Sequence, residues 1–220
     1  MALIAALRLC GQTPARTPES VQADLKLANE KLGLPPRAAP TDYQAQGKAG
    51  EITIAAEFAG HSVPTPEGPL SDEEYVVVEA AVFGPAGAKL QLTEADFSLR
   101  INGNKKVQPS DPYGLVVGSV KDPEWEPPEK HDGNKTSFGS ASSGGVAADN
   151  GSPPTPPKVP FDVQRKLSLR VRKVSMPVGD RTLPEAGLLY FKYRGKEKGI
   201  RSLELIYSGA AGQATIPLHP

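Results

Sequence analysis

The residues that could do chemistry are few. His131 stands beside Asp132 with Ser137 close by in sequence, the three side-chain types of a nucleophile, base and acid triad. A triad works only where its geometry is held. These three lie within residues 126–160, which carry seven Pro, five Gly and five Ser and can bury little apolar surface. No catalytic residue is therefore expected. The other two histidines read as exposed side chains or local hydrogen-bond formers, His61 in a Gly-His-Ser-Val-Pro turn and His219 next to the last residue. A single cysteine excludes an intramolecular disulfide and any cysteine-rich metal site, so neither a cofactor nor a metal is expected. Phosphate-loop, dinucleotide and nucleophile-elbow motifs do not occur.

Five acids, Asp122, Glu124, Glu126, Glu129 and Asp132, surround Trp125, the one tryptophan. Alternating oxygen ligands can suit calcium, but the glycine and spacing of an EF-hand loop are missing. Docking a tryptophan buries roughly 150–250 Å², so Trp125 reads first as an anchor pinning its proline-rich loop to the fold. The alternative is a recognition platform for a sugar or peptide, with Tyr113 as a neighbour.

Charge is zero overall yet unevenly placed. Residues 67–132 hold 13 acids against 6 bases, and residues 158–201 hold 12 bases against 4 acids. One reading is mutual neutralisation within the fold or a solvated surface. The functional reading is a basic, partner-binding face. It comprises Arg165, Lys166, Arg170, Arg172, Lys173, Lys192 and Arg194, extended by Lys196, Lys198 and Arg201. Such a face would attract an envelope protein, a polysaccharide or an anionic surface. Nucleic acid is not expected, because the chain is neutral and carries no recognised binding motif.

Elements of period two must position these groups. Ile52, Ile54, Ala56 and Phe58 alternate with Glu51, Thr53, Ala55 and Glu57, and Tyr75–Phe83 places Val76, Val78, Ala80 and Val82 on one face with Glu79 on the other. Burying a valine is worth roughly 1.5–3 kcal/mol, so a one-residue slip that buried Glu79 is disfavoured. Phe97, Leu99 and Ile101 form another strand, closed by the tight-turn pair Asn102-Gly103. Further strands are expected at 115–120, 187–194, 200–208 and 213–218. For residues 161–176 the longer stripe is helical, with Val163, Leu167, Val171 and Val174 on one side, Pro160 before it and Pro177 after it. Such a helix would cover an open end or face of the β body.

With 38% hydrophobic residues, 23 Pro and 22 Gly, a mainly helical chain is excluded, and short strands punctuated by glycine point to an antiparallel β-sandwich of about seven strands. The organisation expected is one sandwich domain over 51–220, interrupted by a Pro/Gly/Ser-rich insertion at 126–160. A short helix and a linker precede it at 16–50. Residues 2–10 have the length of the apolar core of a secretory signal, so 1–15 read as a signal peptide and the chain as extracytoplasmic, periplasmic or secreted. No run approaches the roughly 20 apolar residues of a membrane-spanning helix.

The stretches Glu74–Glu79, Leu92–Leu99 and Gly187–Phe191 resemble recurring strands of bacterial immunoglobulin-like extracytoplasmic domains of unknown function, and Asp122–Pro128 resembles a block of uncharacterised secreted bacterial proteins. The resemblance implies an immunoglobulin-like sandwich and export, and it carries no catalytic residues. The resulting expectation is a non-catalytic binding or assembly module of the cell envelope. The alternatives are a carbohydrate-binding accessory domain and, behind it, a small hydrolase using paired carboxylates.

Overall fold

A computed structural model describes residues 32–125 and 159–220. The expected signal peptide, the expected helix of residues 17–32 up to Lys31, and the insertion from Glu126 to Lys158 lie outside these residues, as do His131, Asp132 and Ser137. The described residues belong to one compact unit.

Strand patterning produces a mainly antiparallel β structure. β1 (Ala45–Ala49), β2 (Ile52–Gly60), β5 (Tyr75–Phe83), β7 (Phe97–Ile101), β8 (Gln108–Asp111), β11 (Glu185–Lys192), β12 (Leu203–Gly209) and β13 (Gly212–Leu218) share one sheet. Its order is β1-β2-β5-β11-β8-β7-β12-β13, and every recorded pairing is antiparallel. The sheet nearly closes on itself. A Cβ at Gly47 of β1 would lie 2.9 Å from Ile216 Cγ1 of β13, so this glycine admits the other edge strand. Gln44 Nε2 donates to His219 O at 2.7 Å at one end of the seam. The pairings do not divide these eight strands into the two facing sheets of the expected immunoglobulin-like sandwich; closure makes the body barrel-like.

Alternation decides what fills the barrel. Val76, Val78, Ala80 and Val82 point inward as expected and meet Ile54, Phe97, Leu99, Leu189, Phe191, Leu205 and Tyr207. The opposite face is also covered. Tyr75 and Val77 of β5 with Leu188 and Tyr190 of β11 pack against Leu167, Val171 and Val174 of α2 (Phe161–Val174). The helix thus forms where its stripe predicted it and makes a second apolar layer on the barrel wall. Its exit runs so close to β11 that a Cβ at Gly187 would lie 2.4 Å from Met176 Cα. Ser175 Oγ donates to Val171 O at 2.7 Å and lies 3.0 Å from Tyr190 Oη, whose ionisation is pushed up by burial.

Two expectations change. Residues 115–120 were expected as a strand. Instead, α1 (Tyr113–Val116) and a turn precede a two-residue strand, β9 (Val120–Lys121), because Val116 and Val120 both turn into the second core. The expected linker at 35–50 contributes β1 and a covering segment. Tyr43 of that segment, with Leu34 just before it, packs over Ala55, Ala81 and Ala186. Arg37 lies 4.4 Å from the centre of the Tyr43 ring and pairs with Glu57 and Glu79, so the one charge in the middle of β5 is neutralised there. β3 (Ser62–Val63), β4 (Leu70–Asp72) and β9 make a small second sheet, and β6 (Lys89–Leu92) with β10 (Gly179–Thr182) a third. Among the described residues no helix is long and apolar enough to cross a membrane.

Candidate binding surface at one end of the barrel

One end of the barrel gathers the exits of β2, β11 and β13, the starts of β5 and β12, and the β7–β8 connection. In the sheet order, β8 and β7 stand between β11 and β12. The chain from β11 to β12, residues 193–202, must therefore pass over the β7–β8 hairpin, three strand spacings or roughly 14 Å. This overpass is tied at both ends and in the middle.

Asn102 makes the first tie. It is the only non-glycine residue with positive φ (54°) among the described residues, as the Asn-Gly signal anticipates. Its N–H donates to Ser202 O at 2.9 Å and its Nδ2 to Gly199 O at 2.9 Å. Its Oδ1 accepts from Arg201 N at 2.6 Å and Ser202 N at 3.3 Å. In the middle, Ile200 is buried as part of the barrel core.

At the far end Tyr193 N donates to Glu74 O at 2.7 Å, and the Tyr193 ring stacks on His61 with centroids 6.1 Å apart. His61 is not a free turn residue: Nδ1 lies 2.8 Å from Asp72 O and Nε2 lies 2.9 Å from Gly195 O. Both carbonyls only accept, so a neutral ring donates to one of them and a doubly protonated ring to both. Arg194 joins the Glu74 carboxylate at 2.8 Å, a hydrogen bond that holds this acid below its usual range.

Asp72 anchors the floor. Its Oδ1 accepts from Glu74 N at 2.8 Å and Tyr75 N at 3.0 Å, and its Oδ2 accepts from Ser119 Oγ at 2.9 Å. The residue is 1% exposed, and burial raises its carboxyl above the usual value despite these bonds. His61, Ser71, Asp72, Glu73 and Glu74 on one wall and Arg194, Gly195 and Lys196 on the other bound an open groove of about 740 Å³. Three neighbouring carboxylates could suggest paired-acid chemistry. However, both oxygens of Asp72 are occupied by backbone and serine donors, Glu73 pairs with Lys121 at 3.1 Å, and Glu74 pairs with Arg194.

The residues of the expected basic face part company. Arg170 is only 13% exposed; it pairs with Asp122 at 2.6 Å and Glu67 at 3.1 Å and donates to Thr65 Oγ1 and Gly68 O, so it is a staple between α2 and the β3–β4 loop. Arg165 and Lys166 are exposed on α2. Arg172 and Lys173 are half-buried in its last turn, where cations suit the helix dipole. Lys192 is exposed at the end of β11 and lies close enough to Glu74 to lower its ionisation further.

Trp125 is half-buried and belongs to none of the apolar clusters of the described residues. Tyr113 packs on the second core and Tyr193 on the barrel core. Asp122, expected among clustered acids, is turned to Arg170. Among the described residues no group of three His, Cys, Asp or Glu could hold a metal ion.

What sequence reasoning missed is the partnership of two loops. Lys105 and Lys106, in the β7–β8 connection, stand beside the overpass that carries Lys196, Lys198 and Arg201. All five are exposed, and no ion pair among the described residues involves them. The signal was the Asn102-Gly103 turn immediately before the two lysines; it announced a hairpin but not its neighbour. Comparison of the chain with protein-family models, curated proteins and solved structures gives no match.

Proposed function

We propose that the chain is a non-catalytic binding or assembly module of the cell envelope, which holds an anionic partner on the cationic end of its barrel. One observation carries this reading: Lys105, Lys106, Lys196, Lys198 and Arg201 are exposed, make no ion pair among the described residues, and sit on two loops that Asn102 locks together. Cations held on an ordered surface lose less freedom on binding than cations on a loose tail, which favours affinity. Glu73 and Glu74 already have cationic partners, and Glu197, the one acid on the two loops, leaves them with a net positive charge of four. Work outside the cytoplasm is supported by the signal-like residues 2–10 and by the likeness of 74–79, 92–99 and 187–191 to immunoglobulin-like extracytoplasmic domains.

The test is retention of the full chain on immobilised dextran sulfate. A formally neutral chain with this surface stays bound at low salt and elutes as salt screens the contact. Passage through the column unretained at low salt contradicts the reading.

A further inference from the structure

The form of the cationic surface goes further than its charge. Resting on the reading just given, we infer that the partner is a linear acidic polysaccharide lying along the overpass. The cations are not spread over a disc. Lys196, Lys198 and Arg201 follow one connection that crosses the barrel mouth from β11 to β12, with Lys105 and Lys106 beside it on the hairpin it crosses. At the β11 end the strip stops at the Glu74–Arg194 pair, and Glu197, exposed between Lys196 and Lys198, is the one acid on it, so the strip is net positive and bounded. A chain with repeated acidic groups can follow such a strip.

Two further observations separate the partner classes. The large apolar side chains exposed among the described residues are Leu115, Phe161 and Val178, and none is on residues 102–107 or 193–202. Interfacial membrane binders combine cations with such apolar groups. Proteins that hold single-stranded nucleic acid add aromatic faces on which bases stack. The one aromatic ring of the overpass, Tyr193, packs on the barrel core and lies against His61, which leaves no platform of that kind.

The experiment measures binding of the full chain by fluorescence anisotropy to three probes: labelled polygalacturonate, vesicles of phosphatidylglycerol and phosphatidylcholine, and a single-stranded DNA of mixed sequence. Wild type is expected to bind polygalacturonate at least tenfold more tightly than either other probe. Changing Lys105, Lys106, Lys198 and Arg201 to Gln is expected to weaken polygalacturonate binding by about a hundredfold, on the scale of a few-fold per cation at an anionic surface. The same change at Arg165, Lys166 and Arg172 is expected to shift it less than about threefold, since these lie on α2. Circular dichroism and the urea midpoint establish that each variant folds; should the fourfold variant not fold, the Lys105→Gln, Lys106→Gln pair is read in its place. Preference for vesicles or DNA, lost with the overpass cations, overturns the polysaccharide assignment and leaves the anionic-partner reading standing. Binding to none of the probes overturns both, and polygalacturonate binding that survives the fourfold change overturns the overpass as its track.

Discussion

Arg170 on α2 and Arg201 on the overpass are the same side chain in opposite circumstances. Arg170 is 13% exposed and faces two carboxylates, a hydroxyl and a carbonyl, so its charge holds the molecule together. Arg201 uses its backbone N–H to bind Asn102 and leaves its guanidinium exposed, without an ion pair among the described residues. Arg37 repeats the first pattern with Glu57 and Glu79 on the outer face of β2 and β5. A cation is structural here when the fold brings an acid to it from another element, and it is available to a partner when its loop is fixed by backbone and amide bonds instead.

That contrast can be broken first at the staple. Arg170→Met is expected to cost about 3 kcal/mol of stability, because it leaves Asp122 without its cation and Thr65 and Gly68 without a donor. Urea unfolding checks it, and a loss below about 1 kcal/mol would make Arg170 no different from a surface cation. Next in size is Asp72→Ala, which strands the N–H groups of Glu74 and Tyr75 and the Ser119 hydroxyl, at about 2 kcal/mol.

Asp72→Asn sharpens the same point through pH. Burial raises the Asp72 carboxyl in the folded chain, so the folded state takes up this proton more readily than the unfolded state. Its contribution is fully present below the unfolded value of about 3.9 and is lost as pH rises through the higher folded value. The stability of wild type relative to Asp72→Asn is therefore expected to be greater near pH 3 than near pH 7, measured by urea unfolding at both. The reverse order would mean that the three hydrogen bonds outweigh burial.

A smaller effect, about 1 kcal/mol, is expected for Asn102→Ala, which removes the side-chain bonds to Gly199, Arg201 and Ser202 and places an ordinary residue at positive φ. Faster hydrogen exchange confined to the Arg201 and Ser202 amides would locate the loss in the overpass. Smallest of all, Lys198→Gln and Arg165→Gln are expected to change stability by less than about 0.5 kcal/mol, as exposed positions without partners do.

Much of the wall was legible. Alternation in Tyr75–Phe83 and Phe97–Ile101 gives the correct inward faces, and the stripe of α2 is the one it buries. The second layer was not legible from period two, which picks one face of a strand. Tyr75-Val76-Val77-Val78 and Leu188-Leu189-Tyr190-Phe191 are continuous apolar runs because both faces are covered. β1 was hidden because Ala-Gln-Gly-Lys-Ala has little apolar alternation and is placed by a Gly47 contact with distant Ile216.

The surface was half legible for a related reason. The overpass lysines stand out as a basic run, but Lys105 and Lys106 are counted with an acidic segment. Only folding brings that hairpin to Arg201, through an Asn102 bond spanning 99 residues. His61 was legible as a hydrogen-bond former and not as a clamp, since its second partner, Gly195, is 134 residues away.

The most direct test of the contrast is the salt dependence of binding to dextran sulfate, with Gln placed at Lys105 and Lys106 of the hairpin and Lys198 and Arg201 of the overpass, or at Arg165, Lys166 and Arg172 of α2. Each cation that contacts a polyanion adds roughly one to the slope of log affinity against log salt. The overpass variant is predicted to lose about three from that slope while the α2 variant keeps it. A slope that falls with the α2 change and stays with the overpass change would contradict the account.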